Sequence, residues 1–198
     1  MRQLTCLRGC DDIWKFFNYL MGTKIYSQYD LDPQLSSALK SIYEEVMWLS
    51  ARPNVTPGRA RAWYTHIMAE AVKRKLRRFT GKVSEMTATQ NDGPLMLEHF
   101  KRIQTTLTAL VEQHRAEQLN DPDAFIKTLV DYEQVHIVTR DENYAAMRAK
   151  GNYNQAGIVL FPWEELSEGQ RTELWNKMLR GKVANAGAFK PQRITCTT

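Results

Sequence analysis

No stretch of this 198-residue chain approaches the roughly 20 consecutive apolar residues that a membrane-spanning helix needs. A membrane-embedded partner is therefore not expected. The short apolar stretch near the start is broken by Arg8, Asp11 and Asp12, so no secretory signal is expected either. Cysteine is scarce: Cys6, Cys10 and Cys196 are too few, and odd in number, for a disulfide framework. Free thiols in a reducing, cytoplasmic setting are the expectation. Cys6 and Cys10 form a Cys-x3-Cys pair with no second pair nearby, so neither a metal nor another cofactor is expected. The phosphate-loop, dinucleotide-loop, nucleophile-elbow, zinc-helix and Cys-x2-Cys patterns are all missing. Their absence points away from an enzyme.

What is present is an ordinary globular composition, 43% hydrophobic and 25% charged, with a net charge of +5. That charge is unevenly placed. Residues 52–82 hold nine cations (Arg52, Arg59, Arg61, Lys73, Arg74, Lys75, Arg77, Arg78 and Lys82) against one acid, Glu70. The rest of the chain is slightly acidic. Clustering of this kind marks an anion-binding surface more strongly than a high isoelectric point does.

Proline marks the expected helix starts. Asp32-Pro33, Thr56-Pro57, Gly93-Pro94, Asp121-Pro122 and Phe161-Pro162 each place Pro where a first-turn N–H would have no partner anyway. Apolar spacing then predicts helices over 11–21, 33–51, 57–79, 94–119 and 122–133. Residues 80–93, rich in Thr, Ser, Asn, Asp and Gly, are expected to form a mobile loop. Val135-His136-Ile137-Val138 and Gly157-Ile158-Val159-Leu160-Phe161 predict two short strands. Thr139-x-x-Glu142 and Ser167-x-x-Gln170 are capping boxes that open helices near 140 and 168. Together these predict a mainly α protein: a helical bundle with a small C-terminal α+β element of two short strands. One compact domain over 1–198 is expected, any subdivision falling between 1–92 and 93–198.

The expected 57–79 helix carries the functional lead. Trp63, Ile67, Ala71, Val72, Leu76 and Phe79 make its buried stripe, leaving Tyr64 and His66 as candidates for exposed contacts. Arg59, Arg61, Lys73, Arg74, Lys75, Arg77, Arg78 and Lys82 are the candidate nucleic-acid-binding residues, a basic strip suited to phosphate oxygens. The lead function is thus a non-enzymatic nucleic-acid-binding protein, DNA or RNA, or a helical subunit of a nucleoprotein assembly with other protein subunits. It requires that no acidic neighbour neutralise the arginines. The same face would also suit an inhibitor or adaptor docking on an acidic protein. A third reading, a metal-dependent nuclease, would draw on Asp131, Glu133 and Glu142, within a polar set that includes His136 and Asp141. Trp163 is a candidate for an exposed apolar contact.

Overall fold

The computed structural model describes residues 31–67, 70–89, 93–99, 101 and 103–191. The expected helix 11–21 and all three cysteines lie outside the described residues.

Three proline caps form as the sequence predicts. Asp32 accepts from the Gln34 N–H at 3.0 Å and opens helix α1, Pro33–Ser50. Thr56 accepts from Arg59 N–H at 3.2 Å and opens α2, Pro57–Ala62. Asp121 accepts from Ala124 N–H at 3.0 Å and opens Pro122–Tyr132. Both capping boxes also form, each with the reciprocal pair of bonds. These caps satisfy N–H groups that a helix leaves without intrahelical partners.

The helical bundle with two short strands does not survive. The chain builds a four-stranded mixed sheet in the order β2-β3-β1-β4, with β1 Arg78–Ser84, β2 Leu95–His99, β3 Gln134–Thr139 and β4 Leu160–Pro162. Strand β1 runs parallel to β3 and antiparallel to β4, while β2 pairs antiparallel with β3. The expected 57–79 helix is not uniform and ends earlier: its described residues form α2, a π-turn over Trp63–Ile67 that continues it, and α3, Glu70–Leu76. Its expected end, Arg78-Phe79, is strand. The expected loop at 80–93 begins with the rest of β1 and a short helix, α4, Glu85–Thr89. The expected 94–119 helix starts as β2 and becomes helical only in α5, Ile103–Ala116. Pro94 and Pro162 are not first helical residues; Pro162 ends β4 before a single 3-10 turn, Trp163–Glu165.

Alternation explains strand β1, one of the two that the sequence reading missed. On β1, Phe79 and Val83 join Val135 and Ile137 of β3 in one core with Trp163, Leu174 and Leu179. The alternate residues, Thr80, Lys82 and Ser84, turn to the opposite face, as a period of two requires. That face meets α7, Arg140–Arg148, and the short α8, Tyr153–Ala156: Ser84 donates to Glu142 at 2.6 Å, and the Tyr153 ring lies edge-on to His136. Between the Phe79–Val135 and Val83–Ile137 pairs, β1 spends four positions against two on β3. Gly81 sits in that bulge with φ +80°, and an added Cβ would lie 3.3 Å from the Phe189 ring, so the position needs glycine.

A second core lies outside the sheet. Leu39, Ile42 and Val46 of α1 pack with Tyr64, Leu107, Val111, Phe125 and Leu129. It draws on helices before β1 and on α5 and α6 (Pro122–Tyr132), which lie between β2 and β3 in sequence. The helical layer and the sheet are therefore threaded through each other. Trp163 is 4% exposed and belongs to the sheet core, so it offers no exposed contact.

Candidate functional site

The helix-to-strand break at Leu76–Arg78 decides where the cations go. In a continuous helix Arg74, Arg77 and Arg78 would share a flank. Here the chain turns into β1, and neighbouring arginines part company.

Arg74, Lys75 and Arg78 line one open groove of about 620 Å³. Its second wall is Leu31, Asp32 and Leu35, at the start of α1. Its third is the segment Gly181–Asn185, with Val183 and Ala184. Two of the walls are pinned by backbone chemistry. Arg78 N–H donates to the Glu133 carbonyl at 2.8 Å, and Ala184 N–H donates to the Arg77 carbonyl at 2.8 Å. The Asn185 side chain behaves as a surrogate strand: its Oδ1 accepts from Phe79 N–H at 2.9 Å and its Nδ2 donates to the Phe79 carbonyl at 2.8 Å. This satisfies both main-chain groups of a residue that is 2% exposed.

Arg77 turns the other way. It reaches Glu133 at 3.7 Å and keeps only 12% of its side chain exposed. Glu133, 4% exposed, also accepts from the Tyr64 hydroxyl at 3.1 Å and from His99 Nε2 at 3.0 Å. This buried knot joins the π-turn, the end of β2 and the junction before β1. Burial by itself raises the Glu133 carboxyl, but the His99 hydrogen bond and charge, the Arg77 charge and the Tyr64 hydroxyl together hold it below the ordinary glutamate range. Tyr64, a candidate for an exposed contact, is fully buried here; His66 is exposed.

The other cations are dispersed. Arg59 and Arg61 lie on α2 beside α5, where Arg61 Nε donates to Thr108 Oγ1 at 3.3 Å. Lys73 sits 5.8 Å from the Tyr64 ring centre. Arg52 stacks over Trp48 at 3.8 Å. Lys82 is exposed on the α7 side of the sheet. Of the eight candidate residues the groove thus brings together three, while Arg77 faces the Glu133 carboxylate.

The acidic set around β3 is distributed among other tasks. Glu133 belongs to the knot, and Glu142 Oε2 accepts from Thr139 N–H at 2.9 Å and from Ser84 at 2.6 Å. Among the described residues no three His, Cys, Asp or Glu side chains come together to hold a metal ion.

His136 is 5% exposed, with Nδ1 2.6 Å from Thr80 Oγ1. Burial, with a lesser push from the Lys82 charge, lowers its pKa from 6.5 to about 4. The ring is neutral in the fold and gains its proton more readily once unfolded. Stability is therefore intact above pH 6.5 and falls as pH drops toward 4, at about 1.4 kcal/mol per unit, for a total of about 3 kcal/mol. Urea midpoints measured across that window should fall for the parent chain and fall much less for His136→Gln. Equal slopes in the two chains would remove the assignment. Glu133 acts later, because a lowered carboxyl pKa contributes above the glutamate range and is lost only as pH falls below it.

Among the described residues no helix is long and apolar enough to cross a membrane. No protein-family model, curated protein or solved structure matches the chain.

Sequence patterning found Arg74, Lys75 and Arg78 but missed Asp32 and Asn185 as their neighbours, and missed the Tyr64–His99–Glu133–Arg77 knot. Asp32 was legible as a helix cap. Nothing local marks Asn185, whose partner is 106 positions away.

Proposed function

We propose that the protein binds nucleic acid by its phosphates, in the groove lined by Arg74, Lys75 and Arg78. One observation carries the reading: three of the chain's clustered cations line one bounded groove, on elements held by main-chain hydrogen bonds. Arg74 and Arg78 also have partners within the protein. A guanidinium has five donors, so one partner does not exhaust it. Two guanidinium forks and an ammonium suit phosphate oxygens, and contacts of this kind position a strand without reading its sequence. Among the described residues the groove lining contains no aromatic ring on which a base could stack.

The test is a mobility shift with single- and double-stranded DNA and RNA at two salt concentrations. Three phosphate contacts give a slope of log affinity against log salt of about −2 to −3. The variant Arg74→Glu, Lys75→Glu, Arg78→Glu should lose at least roughly a hundredfold in affinity with its circular dichroism unchanged. Arg77 is left intact in that variant, since reversing it would strand Glu133. Unchanged affinity in the triple variant, or no retention of any nucleic acid by the parent, refutes the reading.

A further inference from the structure

Helix α1 buries Leu35, Leu39, Ile42, Tyr43, Val46 and Ser50. Trp48 is two positions from Val46 and from Ser50, which puts it on the far side of the helix from both. It is 60% exposed. A single exposed apolar side chain is ordinary; what stands over this one is not. The Arg52 guanidinium lies 3.8 Å from the centre of the indole ring. The turn that ends α1 holds it there: Arg52 N–H donates to the Leu49 carbonyl at 3.1 Å, and the Arg52 carbonyl accepts from Val55 N–H at 3.2 Å. Among the described residues no hydrogen bond or ion pair engages the five N–H donors of this guanidinium. The nearby acids do other things. Glu45 accepts from the Trp63 indole N–H at 2.9 Å. Glu44 is exposed one turn before Trp48, on the side away from Arg52. A large flat ring and an arginine with open donors therefore sit side by side on a fixed turn, at the start of the basic segment.

We infer that Trp48 and Arg52 form a stacking site for an unpaired base of single-stranded nucleic acid. The base lies on the open part of the indole, and an adjoining phosphate takes the Arg52 N–H groups. A nucleotide is itself a flat π-face with an anion beside it, so ring and guanidinium match it part for part. The inference rests on the nucleic-acid reading above and adds a base contact to it. Every base has a π-face, so the site tolerates any sequence. A duplex, whose bases are already stacked on one another, offers it nothing to hold but phosphate.

The full chain is titrated, by fluorescence anisotropy, with a short labelled oligothymidylate, an abasic strand of the same length, and the duplex of the first with oligoadenylate. The abasic strand keeps every phosphate and loses every base. The parent should bind the oligothymidylate roughly tenfold more tightly than the abasic strand, the effect of one stacked base. Trp48→Ala should bring the oligothymidylate down to the abasic level and leave the abasic strand and the duplex unchanged. Trp48→Phe, which restores a ring, should recover part of the preference. Arg52→Gln should weaken both single strands and reduce the salt slope by about 0.7, one phosphate contact on a single strand. Trp48 is exposed, so its truncation should leave the circular dichroism and the urea midpoint as they were. Equal parental affinity for the oligothymidylate and the abasic strand overturns the inference and leaves phosphate binding in the groove standing. So does a preference that survives in Trp48→Ala, which would leave the ring to a protein partner. Failure of the parent to bind any of the three overturns both readings.

Discussion

Replacing Glu133 with alanine is expected to destabilise the fold by about 3–5 kcal/mol, the usual cost of removing one partner from a buried charge pair. The carboxylate serves three side chains, Tyr64, His99 and Arg77. Its loss leaves the Arg77 guanidinium mostly buried without its counter-charge, which costs more than the lost hydrogen bonds. Glu133→Gln should fall between the parent and Glu133→Ala, because the amide oxygen still accepts from Tyr64 while the charge is gone. Tyr64→Phe should cost about 1 kcal/mol, a single hydrogen bond to a charged group offset by better burial of the ring edge. Urea denaturation at neutral pH measures all three. A loss below about 1 kcal/mol for Glu133→Ala would show that water substitutes freely at the knot.

Phe79→Ala should cost about 3–5 kcal/mol as well, for a different reason. Phe79 is 2% exposed and packs edge-on against Trp163, at 5.4 Å between ring centres, and Phe189, at 4.8 Å. Truncation leaves a cavity between two large rings carried by different turns, and β1 between them cannot close it. Because the Phe79 main chain also holds Asn185, the damage should spread to the groove. Binding in the proposed nucleic-acid assay should fall even where the variant remains folded. Thermal unfolding and that assay, run below the variant's melting transition, give the two readings. A fold as stable as the parent would contradict the packing described.

The caps were the most legible part of the fold. Asp32-Pro33, Thr56-Pro57 and Asp121-Pro122 announce helices, because a short oxygen-bearing side chain and a proline ring solve the same local problem at adjacent positions. The capping boxes at Thr139 and Ser167 are equally local. Strand β3 was legible because Val135, Ile137 and Val138 are β-branched and the run is short. Strands β1 and β2 were not. In Arg78–Ser84 the alternating Phe79 and Val83 flank a glycine and small polar residues, which resemble a loop when their partner strand is unknown. In Leu95–His99, Leu97 lies three residues before Phe100, and that spacing merges with the true helical stripe of Ile103 and Leu107. Short apolar runs carry both periods at once, so only pairing decides between them.

The site divided along the same line. Charge density is a property of sequence and located the cations, three of which meet at the groove. Sorting Arg74, Lys75 and Arg78 from Arg77 required knowing that a helix ends between them. A carboxylate 56 positions beyond Arg77 had to arrive in space before that arginine could be set apart.

A pleated sheet has two rims, and each is a template on which a foreign strand can add. Strand β4 covers β1 only from Lys82 to Ser84, which would leave the Arg77–Phe79 stretch open to such growth. The Asn185 amide and the Ala184 N–H occupy it instead. Side-chain mimicry of a fifth strand therefore covers the stretch of β1 that the three-residue β4 leaves bare, so that recruitment of another chain would have to start on the outer edge of β2 or of the short β4.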